Sequence, residues 1–332
     1  MELNGTHRLP GVSSRTVPVT GPVQRPVPVS DPRHRPAPVT HGPDDVALIF
    51  ESGGMRGAYT AGLVRVMLEA GLSFPWVGGI SAGCTNTCNF VSRDIWRTRE
   101  AYLGLTTDPK AGGWGSFVAG KGYFNSEHIY LHTSAPDESI PFDWETFAAS
   151  PATVRLGAFR CDTGEEVYWG LEDMPTMEDL LVRARASSSM PVLMPMVEVD
   201  GAPYVDGAVG PTGGFAIDAA RADGYDKLLV VMTRPEGYRK PPMRRHEIEV
   251  LQRLYARYPA LVQAVVDRPE NYNRTVEELE HLRSRGRVYL FRPERMPIAN
   301  GELRYDRVVT AFEAGLAQAR RELPAIEAFL AG

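Results

Sequence analysis

Apolar residues in this chain follow two patterns that alternate along its length. One is the short unbroken run, seen in Val46-Ala47-Leu48-Ile49-Phe50 and again over residues 227–233. Runs of this length read as strands buried on both faces of a parallel sheet. The other is helical spacing. Leu63, Val66, Met67 and Ala70 recur three and four apart over residues 58–70, and Gly71 supplies the stop. The same reading predicts a strand at 74–78, a helix at 82–91, a strand pair at 154–159 and 166–169, and a helix at 177–188. Residues 196–199 and 202–205, joined by Asp200-Gly201, predict a hairpin. A helix at 215–222, two or three helices over 245–285, a last strand at 288–291 and a closing helix at 306–330 with Pro324 inside it complete the series. Strands alternating with helices predict one α/β domain with helices on both faces of its sheet.

Two stretches break the pattern. Residues 1–43 carry a near repeat: Arg15-Thr16-Val17-Pro18-Val19-Thr20, Arg25-Pro26-Val27-Pro28-Val29-Ser30, Arg35-Pro36-Ala37-Pro38-Val39-Thr40. Proline at this density blocks helix and central strand, so 1–43 is predicted to be a disordered Pro-rich tail, either plain or a ligand for a Pro-reading domain. The folded part is expected over 45–332, with its core motifs in 45–235 and a largely helical remainder at 245–332. Residues 108–125 are rich in glycine and aromatics (Trp114, Phe117, Tyr123, Phe124) and predict a long loop, a lid or a plain insertion.

Composition narrows the function classes. A chain of 332 residues with 43% hydrophobic and 23% charged residues can bury a large core. The net charge of −5 offers no positive field, so nucleic acid is not an expected partner. Lys110, Lys121, Lys227 and Lys240 are the only lysines, which reads as codon usage in a GC-rich genome. Cys84, Cys88 and Cys161 make no disulfide framework. No neighbouring Cys or His completes a four-ligand set with Cys84 and Cys88, so packing rather than metal binding is expected of them. The N-terminus lacks a signal pattern and no apolar run reaches the roughly 20 residues that span a bilayer. A cytoplasmic protein is expected, and membrane contact would be peripheral.

The candidate chemistry lies in three glycine-containing turns. Gly79-Ile80-Ser81-Ala82-Gly83 falls between a predicted strand and helix, where small neighbours permit a tight turn that projects the Ser81 hydroxyl. Ser52-Gly53-Gly54-Met55-Arg56-Gly57 also joins strand to helix. Its backbone N–H groups can face one point. It lacks the Gly-Lys-Ser/Thr of a phosphate loop, and with a serine one strand later it reads as an oxyanion hole. Arg56 is open between a structural role and a hold on an anionic head group. A triad needs a histidine. Those after the serine are His128, His132, His246 and His281, and none lies at a turn signal. Asp206, at the end of the predicted hairpin and before Gly207-Ala208, is the better base candidate, giving a Ser–Asp dyad.

Strand, glycine loop, Gly-x-Ser-x-Gly elbow and distant Asp-Gly-Ala together resemble the patatin-like phospholipases, more closely the bacterial branch. Ala186-Ser187-Ser188-Ser189-Met190-Pro191, upstream of Asp206, is also similar. The resemblance spans about residues 45–235. It implies a three-layer, modified α/β-hydrolase-like sheet with helices on both faces. It also implies lipid acyl hydrolysis of phospholipids or related esters without metal or cofactor. By it, Ser81 is nucleophile, Asp206 general base, Gly53, Gly54, Met55, Arg56 and Gly57 the oxyanion loop, and Gly79 and Gly83 the elbow. The family's loop has three glycines before its variable position; here the first is Ser52, and a side chain there is expected to bear on the loop angle. An ordinary α/β-hydrolase places its elbow after several strands, whereas Ser81 comes one strand after the glycine loop. Two alternatives stand beside this reading. One is a weakly active or inactive relative that holds acyl chains in the same pocket. The other is a phosphate-binding module using the first turn alone. Residues 190–197 read either as lining for an acyl pocket or as a buried lead-in to a strand.

Overall fold

The computed structural model describes residues 36–332. In chain order its elements are β1 Val46–Phe50, α1 Gly57–Glu69, β2 Trp76–Ile80, α2 Ala82–Val91, α3 Ile95–Thr107, α4 Trp114–Val118, α5 Ser126–Leu131 and α6 Trp144–Ala148. Then come β3 Thr153–Arg160, β4 Glu166–Trp169, α7 Met177–Ser188, β5 Val197–Val199, β6 Ala202–Asp206, α8 Ile217–Ala222 and β7 Lys227–Val231. The chain closes with α9 Arg245–Leu254, α10 Pro259–Ser284, β8 Val288–Phe291 and α11 Tyr305–Leu330.

Eight strands form one mixed sheet in the order β5-β6-β3-β2-β1-β7-β8, with β4 branching from β3. The β2-β1-β7-β8 strands and the β2–β3 pair are parallel, while β4, β5 and β6 join antiparallel. The central strands read as continuous apolar runs because both faces are covered. Val46, Leu48 and Phe50 of β1 face one core, built with α1, α2, α3 and α11. Ala47 and Ile49 face a second core, built with α8 and α10. The fold is therefore α/β with helices on both faces, as expected.

The boundary of the folded part differs from expectation. Residues 1–35 of the expected tail lie outside the described residues. Residues 36–41 are docked on the body. Ala37 is buried, Thr40 N–H donates to the Gly71 carbonyl at 2.9 Å, and His41 bridges Leu72. The Arg93 guanidinium donates to the carbonyls of Ala37, Pro38 and Leu72 at 2.5, 3.0 and 2.9 Å. Proline removes donors from this segment but leaves its carbonyls, and one arginine collects them.

Candidate active site

Ser81 links β2 to α2 at φ 60°, ψ −121°, a conformation costly for a residue with a Cβ. The neighbouring glycines allow it. A Cβ on Gly79 would strike the Gly83 backbone, and one on Gly83 would strike the Phe50 carbonyl. Helix α2 therefore starts directly against the sheet. Ser81 N–H donates to Ser187 Oγ at 2.9 Å, and Ser187 Oγ–H donates to the Gly157 carbonyl at 2.6 Å. Ser187 thus ties the elbow to β3.

Register brings Asp206 to the same level. Ile80 pairs with Gly157 and Asp206 with Ala158, while β4 takes the other edge of β3 over the same stretch, so β6 continues where β2 ends and Ser81 and Asp206 lie next to each other on one edge of β3. Although β6 runs antiparallel, it pairs only with the last residues of β3, which leaves Asp206 at the carboxyl edge of the parallel strands. Glycines let the two strand ends approach: a Cβ on Gly157 would meet the Ile80 side chain, and one on Gly207 would meet the Gly157 carbonyl and Ile80. Asp206 N–H donates to the Ser189 carbonyl at 2.9 Å. The segment from Ser187 to Ser189 therefore holds both residues in place.

The Asp206 carboxyl is buried, and burial pushes it above the ordinary carboxylate range. Arg268, the Ala208 N–H at 2.9 Å, the Ser81 side chain and Lys240 pull it back. The Ser81 side chain is thus close enough to favour the Asp206 carboxylate. Lys240 lies over the Tyr272 ring at 4.0 Å, and burial together with Arg268 pushes it down to about 6. Arg268 comes from α10, donates to the Ala208 carbonyl at 2.9 Å and lines a cleft with Asp206.

In the first turn Gly54 has φ +56°, and a Cβ on it would meet the Asn300 carbonyl at 2.5 Å. Met55 N–H donates to that carbonyl at 2.9 Å, Arg56 N–H donates to the Gly53 carbonyl at 3.3 Å, and Gly57 N–H turns back to Gly54 and Met55. Of the five expected donors, the Met55, Arg56 and Gly57 N–H groups are thus already engaged by backbone carbonyls. Ser52 has an ordinary backbone, and Gly214 makes room for it, since a Cβ there would strike Ser52 Oγ. Ser52 N–H donates to the Gly214 carbonyl at 3.0 Å. Arg56 is buried and lines neither cleft described below. Burial and the adjacent Arg234 push it down to about 10, so it stays charged at neutral pH.

Two clefts meet at the Ser81–Asp206 pair. The first has Ser81 on its wall among Tyr102, Leu105, Phe124, Ile129 and Met194. The second has Asp206 and Arg268 with Val192, Val209 and Leu251. Met190 lines both. Residues 190–194 are therefore cleft wall, one of the two readings of that stretch. Val192, β-branched, is held exposed at φ 70° by a bond from its N–H to Tyr255 Oη at 2.7 Å.

The histidines are placed as follows. His128 pairs with Asp108 at 2.6 Å beneath residues 108–125. His246 is exposed, yet it borders the second cleft with Asp206, which its basic neighbours in sequence did not signal. Cys84 and Cys88 are buried in the main core. Among the described residues no group of three or more His, Cys, Asp or Glu could hold a metal ion. Ser187, Arg268 and Asn300 carried no sequence signal of a place at the site beyond the family-like segment around Ser187.

A mixed sheet with a strained serine turn at its carboxyl edge defines an α/β protein with a nucleophile-elbow geometry. The chain belongs to the patatin-like phospholipase family, a family of lipid acyl hydrolases: that family's model matches residues 48–216. A domain of unknown function, DUF6363, matches residues 258–331. The uncharacterized protein YjjU of Escherichia coli K12 is 26% identical over 195 residues, 58% of this chain and 53% of that protein. The chain thus spans about half the length of this curated relative. Among solved structures, VipD from Legionella pneumophila aligns with a TM-score of 0.45 at 10% identity, over 85% of this chain and 67% of that one.

Proposed function

We propose that the protein is a serine lipid acyl hydrolase that cleaves carboxylic esters of phospholipids or related lipids with a Ser81–Asp206 dyad. The observation that carries this reading is the adjacency of a strained Ser81 and a buried Asp206 on one edge of β3, at the junction of two largely apolar clefts. Asp206 accepts the Ser81 proton as the hydroxyl oxygen attacks the ester carbonyl carbon. The N–H groups of Gly53 and Gly54, with the N-terminus of α2, receive the developing oxyanion. Asp206 then passes its proton to the departing alcohol oxygen. Water, deprotonated by Asp206, attacks the acyl carbon; the bond to Ser81 Oγ breaks as Asp206 returns that proton to Oγ, which releases the fatty acid and restores the Ser81 hydroxyl and the Asp206 carboxylate. No step calls for a metal or cofactor.

The test compares wild type with Ser81→Ala on short p-nitrophenyl esters, alongside labelling by a fluorophosphonate. A fall in kcat of about a thousandfold or more and loss of the label are expected. Full activity in Ser81→Ala would sink the reading. His246→Ala should retain activity, because the dyad needs no imidazole.

A second reading is an inactive relative that holds acyl chains. It draws support from the Asn300 carbonyl, which already engages Met55 N–H in the oxyanion turn. That reading expects lipid to co-purify and never turn over. Mass spectrometry of lipids released by wild type but not by Ser81→Ala separates the two and identifies the head group.

A further inference from the structure

Seven large apolar side chains are exposed among the described residues: Val39, Trp114, Phe117, Val118, Val192, Val250 and Leu254. All but Val39 belong to three segments that adjoin one another around the two clefts. Trp114, at 73% exposure, and Val118, at 84%, lie on α4 with Phe117. The segment carrying α4 returns beside residues 190–194, where Tyr123 N–H donates to the Leu193 carbonyl at 2.6 Å. Val192 is in turn bonded to Tyr255, at the end of α9, which carries Val250 and Leu254. Val192 and Val250 both line the second cleft, and Phe124, ten residues after Trp114, lines the first.

The charge on this rim has a sign. From Pro109 to Ser126 the chain has Lys110 and Lys121, two of its four lysines, and no carboxylate. Both lysines are exposed. On α9, Glu247 is used to cap Arg244 N–H at 2.8 Å and Glu249 pairs with Arg245 at 3.2 Å. Arg253 and Arg257, at the end of α9 and just beyond it, are exposed with no ion pair among the described residues. A chain of net charge −5 thus shows cations and apolar side chains together where its clefts open.

We propose that this rim, led by Trp114, Phe117 and Val118, docks the protein on an anionic lipid surface, so that acyl chains enter the clefts from the bilayer without crossing water. Aromatic and aliphatic side chains entering the interface supply apolar burial, and flanking lysines add attraction to anionic head groups. Isolated exposed apolar residues are ordinary, but their gathering at the mouths of two apolar clefts is not. The inference rests on the proposed lipid hydrolase for what is done with the lipid, and not for the binding itself.

The experiment uses the full chain with Ser81→Ala, to prevent turnover, and sedimentation with vesicles of phosphatidylcholine, either alone or with phosphatidylglycerol. The protein should partition onto the anionic vesicles. Replacing Trp114, Phe117 and Val118 together by Ser should lower partitioning at least tenfold. Replacing Lys110 and Lys121 by Gln should lower it on anionic vesicles and leave neutral ones unchanged. In a Ser81-intact background the triple variant should keep wild-type hydrolysis of a soluble ester, which also reports that it is folded. Trp114 gives an independent reading: anionic vesicles should shift tryptophan emission to the blue, and Trp114→Phe should abolish the shift. Equal partitioning of the triple variant, or no partitioning of its parent, overturns the proposal. So would self-association through this face without vesicle binding, which would assign it to a second copy. A wild type inert towards soluble esters would count against the hydrolase reading and leave the vesicle result standing.

Discussion

Ser187 has the most demanding position of any residue around the pair. Its hydroxyl accepts from Ser81 N–H and donates to the Gly157 carbonyl, both away from water. Ser187→Ala would leave two buried backbone groups unpaired, at a cost of about 1–3 kcal/mol each before relaxation. Because one of them fixes the strained serine turn, kcat on a soluble ester should fall at least tenfold while KM changes little. A matching fall in the folded fraction, read by circular dichroism or by the melting curve, would mean that Ser187 acts only on the fold. Asp206 gives a prediction with a sign. The proposed base works as the carboxylate, so kcat/KM should rise with pH through the Asp206 pKa. Burial raises that pKa above the ordinary 3.8, and Arg268 opposes the rise. Arg268→Gln removes a nearby cation and disfavours the carboxylate, so the acid limb should move to higher pH. A pH–rate profile with an unmoved limb would remove Arg268 from any part in tuning the base.

At the scale of elements, β4 and β6 both pair antiparallel with the end of β3, one on each edge. Glu166 on β4 is folded inward, accepting from the Thr212 hydroxyl at 2.8 Å, and burial pushes it up to about 7. Its folded pKa exceeds the ordinary 4.5, so the native state binds this proton more tightly than the unfolded chain. Stability from Glu166 is therefore complete below pH 4.5 and lost as pH rises through 7. Glu166→Gln should remove that loss. Unfolding free energies from urea titration, wild type minus variant, should decline between these limits by on the order of 1–3 kcal/mol, and a flat difference would contradict the assignment. Elements like β1, β7 and the Asp200-Gly201 hairpin were legible because burial on two faces and a left-handed turn each leave a local mark. Asp200 and Gly201 indeed have φ 51° and 78°. Helix α3 left none, since its buried side includes Arg97, Thr98 and Glu100, which mask the apolar period. The short α4 and α5 are likewise too brief for a period to register. The three turns of the candidate site were readable for the same local reason. Arg268 and Asn300 were not, because they reach the site from segments 62 and 94 positions beyond Asp206.

At the scale of the whole molecule, the two matched segments, 48–216 and 258–331, share their cores rather than meeting at an interface. Helix α11 crosses α1 at backbone contact. A Cβ on Gly315 would strike the Tyr59 carbonyl, and one on Gly62 would strike the backbone of Leu316. Phe312 and Leu316 pack in one cluster with Leu63 and Phe50, while Tyr272 and Leu279 of α10 pack beneath Ile49. The C-terminal segment also brings Arg268 beside Asp206 and Asn300 to the glycine turn after β1. Removing it would expose both faces of β1 and one wall of the site. The chain should therefore unfold as one unit, with a single calorimetric transition whose van't Hoff and calorimetric enthalpies agree. Gly315→Val tests this at the crossing. Overpacking against backbone that cannot yield costs about 1–3 kcal/mol or more. In a cooperative chain that loss lowers the Tm of the entire transition, and soluble-ester activity disappears at the same temperature as near-ultraviolet circular dichroism. Were the C-terminal segment an independent module, the variant would split the transition, and activity would survive the first step. A split of that kind would also detach Arg268 and Asn300 from the site, and the acid limb of the surviving activity would then shift as in Arg268→Gln.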